Sequence, residues 1–339
     1  MKAALIGLGM VSKTYGDAIA NSSDVGLASV YARSAEGRDA FLKEWPSLGA
    51  TSAESIEAIA EDPEVDFAIL TTPPNARAEI VEVLAAAGKP ILMEKPVERT
   101  LGAATALVET CEKAGVPLGI MLQHRARPVV ADLLQRLPEL GDLYAVEINV
   151  PWWRPQAYYD EPGRGTYDRD GGGVMISQAI HTLDLALSIT GPVAAVTAMS
   201  AKTRFHDMEA EDFVCAGLEF ANGAVGQLFA STASFPGSGE TITFHFKDGS
   251  ARLEAGEVQI TRQDGRSETI GAKAASGAGA DPMAFTSDWH RYVIEDFAQA
   301  VSTGRAPLVT GRDALMVHGL IAALEASAAS GQRTEVREG

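Results

Sequence analysis

"LIGLGMVS", residues 5–12, runs from an apolar, strand-like segment straight into two glycines and a small hydroxyl. Gly7 allows a tight turn, Gly9 lets the backbone approach a pyrophosphate, and a helix starting there offers free N–H groups to the anion. Met10 and Val11 lie in the same turn, and Ser12 stands where a third glycine is usual, small enough for close helix–strand packing. The pattern of the next hundred residues gives the turn its meaning. "KAALIG", "GLASVYA", "VDFAILTT", "KPILME" and "VPLGIML" read as buried strands too short for helices. Between them "SAESIEAIAED" and "ARAEIVEVLAAAGK" have helical period, the first entered through a capping box of Thr51 and Glu54. This alternation predicts a doubly wound parallel sheet, a nucleotide-binding domain over residues 1–123.

Beyond Arg125 the pattern changes. Asn222-Gly223, Asp248-Gly249 and Asp264-Gly265 each separate two strand-like runs, the signature of tight antiparallel hairpins. Residues 124–339 therefore read as an α+β domain with a large, mainly antiparallel open sheet and helices on one face. In "DFVCAGLEF" and "AVGQLFAS" apolar residues fall on both alternating faces, so the second face is expected to meet another subunit, giving a homodimer or homotetramer. "GAKAASGAGADP", residues 271–282, lacks large side chains and reads as a mobile loop, and two helices come after it from Thr286.

At 339 residues and 46% hydrophobic content the chain is long enough for two cored domains. Forty-five acidic against 28 basic residues give a net charge of -17, which repels nucleic acid and anionic membrane surfaces and points to a small-molecule partner. Cys111 and Cys215 stand in no metal or redox spacing, and the first residues read as a strand, not a signal peptide; the expected location is cytoplasmic, with no bound metal.

An NAD-preferring fold of this type ends its second strand in a carboxylate. Here Ala32 takes that place, followed by Arg33, Ser34 and Arg38, a set suited to a 2'-phosphate; NADP(H) is the expected cofactor, with NAD(H) left open. Glu94 and Lys95 come directly after "PILM", at the ligand-binding edge of a parallel sheet. In "GGGVMISQAIHTLD", residues 171–184, helical spacing places Ser177, His181 and Asp184 along one line of an otherwise apolar helix, with Asp184 able to orient the imidazole. The three glycines are expected to leave room for a ring-shaped ligand. Upstream, Trp152, Trp153, Tyr158, Tyr159 and Tyr167 lie among Arg154 and Arg164, flat faces beside polar forks such as a sugar requires.

Taken together, "LIGLGMVS", "TTPPNARAEI", "MEKPV", "DGGGVMISQAIHTLDL" and the C-terminal helical stretch resemble the glucose-fructose oxidoreductase / inositol dehydrogenase / MocA family (Gfo/Idh/MocA) along essentially the whole chain. The resemblance implies an N-terminal Rossmann domain, a second domain with an open sheet, oligomers, and NAD(P)-dependent oxidation or reduction of sugars and cyclitols. It implies that Lys95 contacts cofactor and substrate and that His181 is the catalytic histidine, with Thr72, Pro73 and Asn75 beside the cofactor. Gln123, Arg125, Trp153, Arg154, Tyr158, Arg164 and Gln178 are the expected substrate contacts. Two positions depart from the pattern: Ser177 stands where many members carry an aspartate, and Arg77 where "TPPN" usually leads to a histidine. The alternatives are a dehydrogenase of a nucleotide-linked sugar or sugar acid, with the loop arginines as anion clamp, and a non-catalytic NADP-binding sensor.

Overall fold

A computed structural model describes residues 1–273, 286–337 and 339, and the chain divides into two compact units. The first holds Met1–Ala126 and Ser287–Ala314. Its strands are β1 (Lys2–Ile6), β2 (Gly26–Tyr31), β3 (Thr51–Ser52), β4 (Phe67–Leu70), β5 (Ile91–Glu94) and β6 (Leu118–Met121). All pair in parallel, in the order β3-β2-β1-β4-β5-β6, with helices α1 (Ser12–Ala20), α2 (Ala35–Glu44), α3 (Ile56–Glu61), α4 (Ala78–Ala86) and α5 (Leu101–Ala114) in the connections. β1, β4 and β5 are almost wholly buried apolar runs because crossover helices cover both faces of such a sheet. The strand order reverses at β1, so the ligand crevice of this topology opens at the carboxyl ends of β1 and its neighbours.

One detail differs from the sequence expectation. Thr51 pairs with Ser29 as the two-residue edge strand β3, and α3 is capped by Ser55, whose Oγ accepts from the Ala58 amide at 3.1 Å. No Thr51–Glu54 capping box forms, because the chain is still extended at Thr51.

The second unit comprises Arg127–Thr286 and Leu315–Gly339. It contains α6 (Pro128–Arg136), β7 (Leu143–Pro151), α7 (Gln156–Tyr159), α8 (Ile180–Thr190), β8 (Val193–Ala201), β9 (Phe213–Phe220), β10 (Val225–Ser231), β11 (Thr241–Phe246), β12 (Gly249–Glu254), β13 (Glu257–Arg262) and β14 (Ser267–Gly271). These strands and β15 (Thr334–Glu335) form a sheet ordered β14-β13-β12-β11-β7-β10-β9-β8-β15, antiparallel except between β7 and β10. Asn222-Gly223, Asp248-Gly249 and Asp264-Gly265 each turn a hairpin, as their composition predicts. Ile148, Val150, Leu218, Leu228, Ile242 and Phe244 are buried on the face that packs against helices, with α8 on β7 and α6 on β13 and β14. On the other face Met199 and Val225 are more than half exposed, and Phe213 and Phe229 meet edge to face at 5.5 Å.

The expected boundary at 123/124 lies three residues before the first crossing, and the structure adds a second departure. Helix α9 (Asp288–Thr303) belongs to the first unit, and α10 (Gly311–Ser330) begins there and continues into the second. The physical reason is the apolar face of α9: Val293, Ile294, Phe297 and Ala298 lie in one buried cluster with Leu5, Tyr15, Ile19 and Phe67. Gly119 in β6 leaves room for the Phe297 ring, since a methyl group there would stand 2.6 Å from it. Most of the expected loop at 271–282 lies outside the described residues; its first residue, Gly271, ends β14.

Candidate active site

In the first unit the glycine turn is built as a cradle. Gly7 has a φ of +100° and lies so close to the Thr71–Thr72 backbone that a Cβ would come within 2.9 Å of it. Gly9, by contrast, faces open space, with nothing within 4 Å of where a Cβ would stand. Ser12, in the third glycine's place, is buried, and its hydroxyl donates to the Gly9 carbonyl at 2.7 Å, tying the turn to the first residue of α1. Val11 is the N-cap of α1 and offers no side-chain cap, while the Ser12 and Thr14 amides turn back to the Gly9 and Val11 carbonyls at 3.1 and 3.0 Å; Met10 stands beside it, 42% exposed. At the carboxyl end of β4 the Thr72 hydroxyl is buried without a partner, and after β6 the Gln123 amide oxygen is likewise buried and unmatched. Buried orphan polar atoms at the ligand edge of a parallel sheet are what a dinucleotide site leaves when its ligand is not counted, so these residues fit the nicotinamide cofactor.

Of the residues expected to select the cofactor, Arg33 is exposed and makes no ion pair among the described residues. Ser34 caps α2, accepting from the Gly37 amide at 2.9 Å. Arg38 is already occupied, donating to the Ser52 hydroxyl at 2.8 Å and the Ala32 carbonyl at 2.6 Å. Pro73 and Asn75 are exposed on the turn after β4.

Lys95 sits in a buried cradle. Glu94, almost inaccessible, accepts from the Tyr15 hydroxyl and the Lys95 amide, both at 3.0 Å. Burial pushes the Glu94 carboxyl up, against the pull of Lys95, Tyr15 and Arg77. The Tyr15 phenol is raised well above its ordinary value by burial and by Glu94. Tyr15 also meets the His290 ring edge-on at 5.6 Å, and His290 is pushed down to about 3, by burial first and then by the Lys95 charge. His290 is therefore neutral at any working pH and adds no second positive charge beside the ammonium. The sequence did not point to His290 or Tyr15: a histidine on a distant helix and a tyrosine inside α1 carry no local motif.

Arg77, the departure from the family pattern, is 2% exposed. Its guanidinium donates to the Thr72 carbonyl at 3.0 and 2.7 Å, to the Glu94 carbonyl at 2.6 Å and to the Pro96 carbonyl. Burial lowers its pKa to about 10, so it stays charged and fastens the loop carrying Lys95 to the end of β4. Gln123 and Arg125 lie in the short turn after β6, near where His124 packs edge-on against Trp289 of α9.

In the second unit the helix with His181 does not start as an α-helix. Met175–Ala179 form a π-helical turn, which passes into α8 at Ile180. Such turns cluster at functional sites and shift the register of every side chain across them. Ser177, within that turn, is half-buried and reaches back to the Gly172 carbonyl, while His181 and Asp184, in the α-helical part that follows, are buried. Gln178 is turned inward, its amide oxygen buried and unmatched.

The glycines serve a different purpose from the one expected at Gly173. The Val174 amide donates to the Glu211 carbonyl at 2.9 Å and the Met175 amide to Glu211 Oε1 at 3.1 Å, so Glu211 presses on the helix start. A Cβ on Gly173 would stand 1.8 Å from the Glu211 carbonyl oxygen. Burial raises the Glu211 carboxyl, while the helix amides pull it back.

The aromatic loop after β7 is tightly bonded. Arg154 is 2% exposed, its guanidinium 5.2 Å from the Trp152 ring centre and 5.7 Å from that of Tyr158, donating to the Trp153 carbonyl at 2.9 Å. Arg164 lies 5.0 Å over Tyr158 and faces Glu161 and Asp170, both at 3.6 Å. Trp153 is half-buried, flanked edge-on by Phe205 and Phe235, which are 60% and 73% exposed.

A parallel six-stranded sheet with a glycine turn at its switch point and a charged lysine at its ligand edge defines a nicotinamide-dependent oxidoreductase. Residues 1–122 match the oxidoreductase family with an NAD-binding Rossmann fold, and residues 134–252 match the GFO/IDH/MocA C-terminal domain. The chain belongs to the GFO/IDH/MocA family. It is 27% identical over 267 residues to scyllo-inositol 2-dehydrogenase (NAD(+)) of Bacillus subtilis, covering 76% of this chain and 73% of the relative. It is 27% identical over 287 residues to D-xylose 1-dehydrogenase (NADP(+)) 2 of Haloferax volcanii, covering 84% and 85%. Among solved structures it superposes with a TM-score of 0.84 on the WlbA dehydrogenase from Bordetella pertussis in complex with NADH and UDP-GlcNAcA, at 25% identity over 99% of this chain and 98% of that one. Among the described residues no helix is long and apolar enough to cross a membrane.

Proposed function

We propose that this oxidoreductase prefers NADP(H) and interconverts a secondary hydroxyl and a ketone on an uncharged sugar or cyclitol, in the cytoplasm. The observation that carries this reading is the cradle after β5, where the Lys95 charge acts on both Glu94 and neutral His290 while Tyr15 bonds Glu94, at the ligand edge of the parallel sheet. Bound nicotinamide supplies or accepts the hydride. Lys95 stabilises the substrate oxygen as charge develops on it. His181 takes the hydroxyl proton in oxidation and returns it in reduction. Thr72, Gln123 and the glycine turn before α1 hold the dinucleotide, and Gln178, Trp153 and Tyr158 orient the sugar. The charges of the aromatic loop favour an uncharged substrate over a sugar acid or nucleotide-linked sugar, since Arg154 is stacked and bonded within the loop and Arg164 faces two carboxylates. The exposed apolar face around Met199, Val225, Phe213 and Phe229 supports assembly into a homodimer or homotetramer through the sheet.

The test monitors nicotinamide absorbance with a panel of neutral sugars, inositols, sugar acids and nucleotide-linked sugars, each with NAD and with NADP. A neutral member turned over fastest with NADP supports the reading; preference for an anionic substrate counts against it. Arg33 is the cation at the end of β2 that its own unit leaves unengaged, so Arg33→Asp is expected to weaken NADP(H) binding by roughly tenfold or more while barely changing that of NAD(H). Titration of each cofactor into the variant measures this directly, and equal loss for both cofactors removes Arg33 from the selection.

A further inference from the structure

His206 lies between β8 and β9 with its side chain wholly buried, and both of its ring nitrogens face acceptors. Nδ1 is 2.7 Å from Asp212 Oδ2, and Nε2 is 2.8 Å from the Arg154 carbonyl oxygen. A carbonyl never donates, and a carboxylate donates only when it carries a proton. Asp212 is held in its ionised form: Oδ1 accepts from the Thr203 amide at 2.7 Å, and Oδ2 accepts from the Thr203 hydroxyl at 2.6 Å. Burial alone would raise this carboxyl, but the bonds from His206 and Thr203 outweigh burial and leave it below its ordinary value. Two acceptors on two ring nitrogens require two protons.

We propose that His206 is a buried imidazolium bridging Asp212 to the Arg154 carbonyl, and that this bridge is the positioning device for the substrate-facing loop from Trp152 to Tyr159. The surroundings form a closed circuit. The Trp153 and Tyr159 rings lie 5.8 and 4.8 Å from the His206 ring. The Tyr159 hydroxyl meets the Thr232 hydroxyl at 2.7 Å, the Arg154 amide donates to the Thr232 carbonyl at 2.9 Å, and the Thr232 amide donates to the Asp212 carbonyl at 3.0 Å. Asp212 thus holds the loop twice, through its backbone and, by way of the imidazolium, through its side chain. Its neighbour Glu211 grips the start of the helix bearing His181, so one dipeptide fixes both the aromatic loop and that helix. The role assigned to the loop rests on the proposed sugar-binding function; the charge on His206 does not.

The charge is tested on the ligand-free full chain by 15N NMR with labelled histidine at pH 7, the His206 signals being those lost in His206→Gln. Protons on both ring nitrogens are expected, and a neutral tautomer overturns the bridge. The positioning role is tested with His206→Phe, which keeps a ring against Trp153 and Tyr159 but removes both donors. The sugar KM is expected to rise roughly tenfold, with kcat within about twofold and NADP(H) affinity unchanged. His206→Gln, with two amide hydrogens to share, should fall between. If the phenylalanine variant does not fold because Asp212 is left buried without its partner, the pair His206→Phe with Asp212→Asn removes that charge and is measured in its place. A KM equal to that of the unaltered protein in either folded variant overturns the positioning role. If the unaltered protein turns over no sugar at all, the functional reading fails separately. Amide hydrogen exchange across residues 152–159 then decides the bridge, and exchange unchanged by the substitutions overturns it.

Discussion

Replacing Lys95 with methionine is expected to cut turnover about a thousandfold while NADP(H) still binds. On the proposed mechanism the Lys95 ammonium stabilises a developing alkoxide, and an isosteric thioether cannot replace it. The fold around it should survive, since Glu94 receives the Lys95 backbone amide and the Tyr15 hydroxyl, neither of which the substitution removes. Without the ammonium, the Glu94 carboxyl loses the largest influence lowering its pKa, so burial holds it protonated to higher pH than in the unaltered protein. Lys95→Arg restores charge with a different shape and should recover only part of the rate. Single-turnover kinetics separate the chemical step from release, and undiminished turnover in the methionine variant would remove Lys95 from the chemistry.

Gly173→Ala should cost about 3 kcal/mol of stability or more. The added methyl meets the Glu211 backbone carbonyl at 1.8 Å and its carboxylate oxygen at 2.5 Å, and backbone cannot swing aside as a flexible side-chain end can. Relief requires the helix start to retreat from Glu211, breaking the bonds to Val174 and Met175. Gly9→Ala provides the contrast: its methyl enters open space, so the melting temperature should hold while dinucleotide affinity falls. Thermal denaturation of the two variants side by side checks both, and equal melting temperatures would contradict the assignment.

These two glycines show where sequence reading carries and where it stops. Gly9 and Ser12 were legible because their places are local, set by a strand, a turn and a helix start that adjoin in the chain, and Gly7's positive φ belongs to the same turn even though the Thr71–Thr72 backbone it meets does not. The parallel order and the antiparallel hairpins come from the same short-range grammar. Gly173 was not legible in this way, since the residue pressing on it, Glu211, comes from a separate part of the chain. The π-helical turn left no mark in the periodicity. Thr51 carried the composition of a cap and became an edge strand because Ser29 pairs with it. Arg154 and Arg164 read as polar forks for a sugar, yet the aromatic rings beside them in the sequence stack on them, and Glu161 and Asp170 face Arg164. Arg77 read only as a departure from the family's histidine; its bonds to Thr72, Glu94 and Pro96 are made across a turn and a neighbouring strand end.

The return of α9 to the first unit has a consequence for how the protein is made. Val293, Ile294, Phe297 and Ala298 complete the cluster that buries Leu5, Ile19 and Phe67, so the nucleotide unit remains unfinished while a growing chain holds only its first 126 residues. On the ribosome, the second unit's sheet strands emerge before the helix that closes the first unit's core. Ribosome-bound chains stalled ahead of α9 should therefore show the Rossmann strands open to protease, and those stalled well past it should show them protected.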